Sequence, residues 1–308
     1  MSPPAEYCLI TPCRNEAAYA RRTLDSVIAQ SVLPALWVIV DDGSDDETPA
    51  ILAEYEAIHP FIRVVRRSDR GYRKLGGGVI DAFCEGYDTI DPSGFTYICK
   101  FDLDLELPER YFEHVIEHMK RDPALGTVSG KPYFESSGEL VSERCGDENS
   151  VGMIKFYRTD CFEDIGGFVR ALNWDGIDGH RCRMKGWKAA SVDDPEMRFL
   201  HLRPMGTSHK NWWTGRVRHG TGQHYMGTGP IYLLASVGAR LFHPPVVVGS
   251  LAMMWGYFRG FLTRAPRYPD LEFRRFLRRY QRRSLLVGKA RATRELDARQ
   301  AHLRRTQT

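Results

Sequence analysis

Phe101-Asp102-Leu103-Asp104 sets two carboxylates two residues apart, where the apolar run Phe95 to Phe101 ends. Side chains alternate along a strand, so Asp102 and Asp104 project from the same side as the strand leaves its sheet. Two carboxylates held this close repel each other unless a cation sits between them. Oxygen ligands suit Mg²⁺ or Mn²⁺, which would bridge to a diphosphate and stabilise the charge that builds on it as it leaves. A pair of solvated loop aspartates has the same short pattern, so the motif alone does not decide between the two.

Two further clusters do. Val38-Ile39-Val40 runs into Asp41-Asp42-Gly43-Ser44-Asp45-Asp46-Glu47-Thr48, so carboxylates emerge from a second strand end before a helix begins. A carboxylate there can accept hydrogen bonds from a base N–H or from ribose hydroxyls, and Asp46 or Glu47 also favours the helix N-terminus. Capping by Ser44 or Asp45 explains the helix start but not the preceding Asp41-Asp42 pair. The third cluster, Thr11-Pro12-Cys13-Arg14-Asn15-Glu16, closes the first apolar run. Between these motifs, Gly71 to Gly78 is a glycine-rich basic turn. Its backbone N–H groups around Gly76, with Arg73 or Lys74, could contact donor phosphate or sugar, with a flexible linker as the alternative. It lacks the Gly-Lys-Ser/Thr ending of a Walker loop.

The elements that must position these residues alternate in type. Tyr7 to Thr11, Leu36 to Val40, Phe61 to Val65 and Phe95 to Phe101 read as strands. Ala17 to Gln30, Thr48 to Ile58, Val79 to Tyr87 and Glu109 to Lys120 read as the helices between and after them. This order predicts an α/β fold with a central, mostly parallel sheet, whose ligands bind at the carboxyl ends of the strands. Thr127 to Asp194 is less regular, with a helix-like segment around Gly179 to Lys185.

Arg14-Asn15-Glu16, Val40-Asp41-Asp42-Gly43-Ser44 and Phe101-Asp102-Leu103-Asp104, in this order and spacing, resemble the family 2 glycosyltransferases of the GT-A fold over roughly the first 200 residues. The resemblance implies that Pro12, Arg14, Asn15, Glu16, Asp41 and Asp42 hold the nucleotide of a nucleotide-sugar donor. It also implies that Asp102 and Asp104 hold Mg²⁺ or Mn²⁺ on the donor diphosphate, and that His201 is a further metal ligand. The family's catalytic carboxylate falls in an acidic motif ahead of a helix ending near Gly-aromatic. Trp174-Asp175-Gly176-Ile177-Asp178 before Gly186-Trp187 matches that position, with Trp174 where Glu is common. Asp175 aligns with the base and Asp178 stands three residues on; capping of the following helix is the alternative for either. An attacking acceptor hydroxyl needs such a carboxylate to take its proton. The implied activity is an inverting, hexosyltransferase-type transfer, with a UDP-sugar favoured over a GDP-sugar and a glycan or lipid-linked acceptor.

The composition is that of a globular protein, with 43% hydrophobic and 27% charged residues. Its net charge of +4 hides an asymmetry: from Arg259 onward there are 15 Lys+Arg and 4 Asp+Glu, which leaves 28 and 35 for the preceding residues. We therefore expect a GT-A domain over residues 1–229 and an apolar, then Arg-rich, amphipathic basic helical extension over 230–308. Val246 to Leu262 is at the lower limit for a membrane span and reads as an interfacial or re-entrant helix. In Phe273 to Tyr280, aromatic and aliphatic residues alternate with arginines at helical spacing. That suits a helix on an anionic lipid surface, a solvated helix packing its apolar stripe on the body being the alternative. No nucleic-acid partner is expected. Gly206 to Tyr225, rich in glycine, could be a flap closing over donor.

The seven scattered cysteines form no Cys-x-x-Cys pair, and the N-terminal residues lack a secretory pattern. The expected location is cytoplasmic, peripheral to the inner membrane face. Two other readings compete. A nucleotidyltransferase would carry a glycine-rich loop after the first strand, where Thr11 to Glu16 has no glycine. A basic-tailed membrane or nucleic-acid adaptor with a degenerate nucleotide fold would not need all three acidic clusters.

Overall fold

The computed structural model describes residues 5–68, 77–203, 212–239 and 247–305. Contacts divide the chain into two compact units, Met1–Arg170 with Trp187–Pro204, and Ala171–Gly186 with Met205–Thr308. In the first unit the chain runs β1 (Ala5–Cys13), α1 (Ala17–Ile28), β2 (Leu36–Asp41), α2 (Thr48–Ile58), β3 (Ile62–Arg66), α3 (Gly77–Tyr87) and β4 (Phe95–Phe101). It continues through β5 (Leu105–Glu106), α4 (Tyr111–Arg121), β6 (Leu125–Ser129), β7 (Pro132–Ser136), β8 (Glu139–Ser142), β9 (Ile154–Arg158) and α5 (Thr159–Asp164). After α6 (Trp174–Met184), which belongs to the second unit, β10 (Lys188–Ser191) and β11 (Phe199–His201) return to the first.

The main sheet has the order β10-β6-β9-β4-β1-β2-β3. It is parallel except where β9 runs antiparallel between β4 and β6. Tyr7, Cys8, Leu9 and Ile10 are all fully buried, which an apolar run without alternation requires: both faces of the strand must be covered. Tyr7 and Leu9 join the core built with Leu24, Val27 and Phe112. On the other face α3 approaches so closely that a Cβ on Gly86 would lie 2.8 Å from Val40 and 2.9 Å from Ile10. Trp37 is buried too, and its indole N–H donates to Thr11 Oγ1 at 2.8 Å, so its large apolar surface enters the core without stranding a donor.

A second, four-stranded sheet of order β5-β11-β7-β8 stands beside the carboxyl end of β4. β11 pairs antiparallel with β5, His201 opposite Leu105, and parallel with β7. Because β5 begins one residue after Asp104, this pairing carries His201 to the Asp-x-Asp motif.

The second unit is helical: α6, α7 (Trp212–Met226), α8 (Pro230–Ala239), α9 (Val248–Leu262), α10 (Leu271–Val287) and α11 (Lys289–Arg305). Helix α6 begins earlier than the sequence suggests, at Trp174, so Asp175 and Asp178 lie within it and not ahead of it. Asn173, just before it, adopts a left-handed conformation with φ 58°. The segment read as a flap is helical from Trp212 to Met226, while residues 204–211 lie outside the described residues. Gly220 in it, like Gly256 of α9, serves close approach. A Cβ on Gly220 would meet the Met253 carbonyl oxygen at 1.9 Å, and on Gly256 the Val217 carbonyl oxygen at 2.0 Å, so backbone packs on backbone. We expect Gly220→Ala to force α7 and α9 apart and cost roughly 1–3 kcal/mol, read as a lower urea midpoint by circular dichroism.

Helix α10 is capped by Asp270, whose Oδ1 accepts from the Phe273 N–H at 2.9 Å. It buries Phe273, Leu277, Tyr280, Gln281 and Ser284 on one stripe. The His180 ring of α6 packs against Phe273 and Tyr280. Tyr280 Oη and Thr293 Oγ1 are 2.8 Å apart, joining α10 to α11, and Arg183 of α6 donates to Asp297 at 2.9 Å. The apolar stripe expected to face lipid is thus used inside the unit, because α6 and α11 offer it a cheaper cover than solvent. No helix of the described residues is long and apolar enough to cross a membrane; α9 has 15 residues.

Candidate active site

The carboxyl ends of β1, β2 and β4 lie side by side, with Cys13 in register with Asp41, and Ile10 with Lys100. The three polar clusters therefore share one edge of the sheet. Pro12 sits opposite Val40 in this register. Asp42 N–H donates to the Cys13 carbonyl at 2.9 Å, and Arg14 Nη1 donates to the Asp42 carbonyl at 2.9 Å. Asn15 takes a left-handed conformation, φ 56°, that Asn tolerates better than most residues. There its amide N–H donates to Ser44 Oγ, its Nδ2 to Asp45 Oδ1, and its Oδ1 accepts from the Asp45 N–H. The β1 and β2 loops are thereby stitched into one surface.

Asp41 and Asp42 are both buried. Asp41 Oδ1 accepts from the Ser44 N–H at 3.0 Å, bracing the turn at Gly43, and Asp42 Oδ1 pairs with Arg67 at 2.7 Å. Arg67 also reaches Glu85 at 2.6 Å. Arg73, Lys74 and Gly76 lie outside the described residues.

The second half of the site is a cluster of charges around the Asp-x-Asp. Lys100, nearly fully buried on β4, donates to Asp102 Oδ1 at 2.5 Å and to the Gly152 carbonyl at 2.8 Å. Arg203 donates to Asp104 Oδ2 through Nη2 at 2.7 Å and Nε at 3.1 Å, while the same Nη2 bonds both oxygens of Glu16 at 2.6 Å. Its guanidinium lies over the Tyr19 ring. Glu16, from the β1 cluster, is thus tied through one arginine to the β4 cluster. Thr23 of α1 adds a further tie by donating to the Leu103 carbonyl at 3.0 Å.

His201 Nδ1 lies 2.9 Å from Glu143 Oε2, and its Nε2 faces Asp104 Oδ2 at 3.8 Å. Burial works against charge on this imidazole, but the Asp104 and Glu143 carboxylates outweigh it and raise its pKa to about 9. Burial also raises the Asp102 carboxyl, with Asp104 beside it adding to the rise against Lys100. Asp104 is shifted the other way: although burial opposes ionisation, hydrogen bonding and charge from His201 and Arg203 hold it below the usual carboxylate range.

These donors suit a divalent cation in kind, two carboxylates and an imidazole. The Glu143 contact at Nδ1, leaving Nε2 aimed at Asp104, is the outer support a metal-binding histidine needs. Among the described residues no three His, Cys, Asp or Glu side chains already converge as a cage. Asp102 is held by Lys100 and Asp104 by Arg203, so protein cations fill the role of countercharge.

Asp175 and Asp178 lie in the second unit, on the first turns of α6. Asp175 is exposed, whereas Asp178 is buried and its Oδ1 accepts from the Gly179 N–H at 2.6 Å.

Sequence reasoning passed over Lys100, Arg203, Glu143 and Arg67. Lys100 had a signal, a lone charge inside the apolar run Phe95 to Phe101, and so had Arg203, two residues from His201. Glu143 had none, since only the pairing of β11 with β7 and the hairpin β7-β8 brings it to His201.

Solved structures share this fold. A mannosyltransferase of Pyrobaculum calidifontis, solved with GDP-mannose and Mn²⁺, superposes with a TM-score of 0.53 at 17% identity, covering 98% of this chain and 86% of that one. TarS of S. aureus, residues 1–349 with UDP-GlcNAc, gives 0.51 at 12% identity over 98% and 92%. Both carry the GT-A arrangement expected from the motifs. In sequence, the chain is 28% identical over 131 residues to a poly-beta-1,6-N-acetyl-D-glucosamine synthase of Staphylococcus epidermidis; the match spans 42% of this chain and 29% of that relative. The family model matched by residues 8–171 takes in the β1, β2 and β4 clusters together, more than half of the sequence, and by that match the chain belongs to glycosyl transferase family 2.

Proposed function

We propose that this chain moves a sugar from a nucleotide diphosphate sugar to a hydroxyl of a glycan or lipid-linked acceptor, by a single displacement that inverts the anomeric carbon. The observation that carries the reading is the meeting of three acidic clusters at adjacent parallel strand ends, with His201 delivered beside Asp104 by β11. In this reading Pro12, Arg14, Asn15, Glu16, Asp41 and Asp42 form the nucleotide side of the site, and the basic turn with Arg73, Lys74 and Gly76 contributes to the donor. Asp102, Asp104 and His201 would hold Mg²⁺ or Mn²⁺, which when bound neutralises the leaving diphosphate. Arg203 and Lys100 keep the same carboxylates compensated before that.

Asp175 is the proposed base. Its exposure at the start of α6 leaves the carboxylate accessible to an acceptor hydroxyl, whereas buried Asp178 braces the helix. The nucleotides of the two structural neighbours differ, one carrying UDP-GlcNAc and the other GDP-mannose, and the resemblance of the motifs favours UDP. The basic second unit points to work at the inner face of a membrane, against anionic lipid, with residues 230–308 as the associating region. No nucleic acid is part of this reading.

Proton NMR of the transfer product checks the stereochemistry. A donor with an α-linked sugar is expected to give a β-linked product; an α-linked product would rule out single displacement by Asp175.

A further inference from the structure

Helix α9 is buried the wrong way round for a helix in water. Its inward face is Gly249, Ser250, Ala252, Met253, Gly256, Tyr257 and Gly260. Its outward face is Leu251 (51% exposed), Trp255 (53%), Phe258 (37%) and Leu262 (75%). Steps of four, three and four residues set these four on one stripe. Large apolar side chains normally supply the buried face. Here only Met253 and Tyr257 are large, and the glycines beside them let α7 approach α9 backbone to backbone while Leu251, Trp255, Phe258 and Leu262 stay outside. The neighbouring α8 buries Leu233 and Val237 with Met253 and Tyr257 and adds exposed Ile231 and Leu234 to the apolar surface.

Charge says what covers this face. From Met197 to Pro269 the chain has no aspartate or glutamate. Arg259 and Arg264 are exposed at the C-terminal end of the stripe, and Arg267 stacks on Phe261 with its guanidinium 4.5 Å from the ring centre. In the same unit α10 exposes Arg275, Arg278, Arg279 and Arg282. A contact of this face with the same face of a second copy would bring arginine against arginine, and residues 197–269 hold no acid to answer it. An anionic lipid surface offers both hydrocarbon for the apolar residues and phosphate for the arginines. Fifteen residues rise only about 22 Å against a hydrocarbon core of roughly 30 Å, so such a helix lies in the interface.

We propose that the exposed faces of α8 and α9 dock on an anionic bilayer, with Leu251, Trp255, Phe258 and Leu262 entering the headgroup boundary and Arg259, Arg264 and Arg267 meeting lipid phosphate. This rests on the membrane reading above: of the two segments the sequence offers for the contact, it keeps Val246 to Leu262, sets aside the stripe of α10, which is buried, and names the side chains of α9 that enter.

The test uses the full chain with phosphatidylcholine vesicles, with and without phosphatidylglycerol, in co-sedimentation and in quenching of tryptophan fluorescence by chain-brominated lipid. Binding to the anionic vesicles is expected, with quenching that disappears in Trp255→Phe. Partition should fall about tenfold or more in Leu251→Ser/Trp255→Ser/Leu262→Ser, with the circular dichroism spectrum unchanged. Failure to bind anionic vesicles, or equal partition of the triple variant, would overturn the proposal. So would equal binding to phosphatidylcholine alone, or a dimer in light scattering that the triple variant converts to monomer. UDP binding by the same preparations reports the donor site separately, so loss of the lipid proposal leaves that reading standing.

Discussion

Asp104→Asn is expected to lower sugar transfer about a thousandfold at saturating Mn²⁺, on the order of 4 kcal/mol of transition-state stabilisation. The substitution keeps the shape of the side chain and removes its charge. Asp104 is the carboxylate on which the site converges: Arg203 bonds it twice and His201 Nε2 faces it at 3.8 Å. Without that charge the remaining donors, Asp102 and His201, would hold a divalent cation weakly, and the leaving diphosphate would lose its neutralisation. The fold should survive, because Arg203 keeps both Glu16 oxygens as partners. The assay is kcat/KM against metal concentration for both proteins. Turnover within tenfold of the parent, with the same metal dependence, would remove Asp104 from the metal site.

Asp175→Asn is expected to lower transfer by 10²- to 10⁴-fold, the usual contribution of a positioned general base, while nucleotide affinity changes by less than about twofold. The two readouts separate chemistry from architecture. Asp175 is exposed on the first turn of α6, so an amide there disturbs no core packing. Buried Asp178 serves as the comparison, since Asp178→Asn should first show as lost stability. If Asp178→Asn abolished transfer in a folded protein and Asp175→Asn did not, the two roles would be exchanged. Loss of nucleotide binding in Asp175→Asn would point to a structural part for this residue.

Much of the sheet was legible from local pattern. Phe95–Phe101 and Thr48–Ile58 fall where their apolar spacing puts them, because a buried strand and a one-sided helix each impose a period on the chain. The acidic clusters were legible for a related reason: charges directly after an apolar run must lie at a strand end, and parallel strands align those ends. The ion pairs were not. Lys100 to Asp102 is local, but Arg203 to Glu16 and His201 to Glu143 depend on where β11 pairs, which no local period encodes. Gly220 and Gly222 misled in the other direction. In sequence, glycines between Gly206 and Tyr225 resemble a mobile loop; in the structure, Gly220 lies against the Met253 carbonyl of α9 and Gly222 against the Asn173 side chain, roles that appear only when the partner is present. For the same reason α10 looked like a lipid-facing helix until α6 and α11 were seen to take its stripe.

Isothermal titration with UDP and with GDP, with and without Mn²⁺, alongside Asp102→Asn/Asp104→Asn, tests the central claim most directly. Metal-dependent binding of one nucleotide, UDP in the favoured case, that disappears in the double variant is the predicted result. Absence of binding for both nucleotides under every metal condition, or binding that the double variant leaves unchanged, would contradict a metal-assisted donor site at these strand ends.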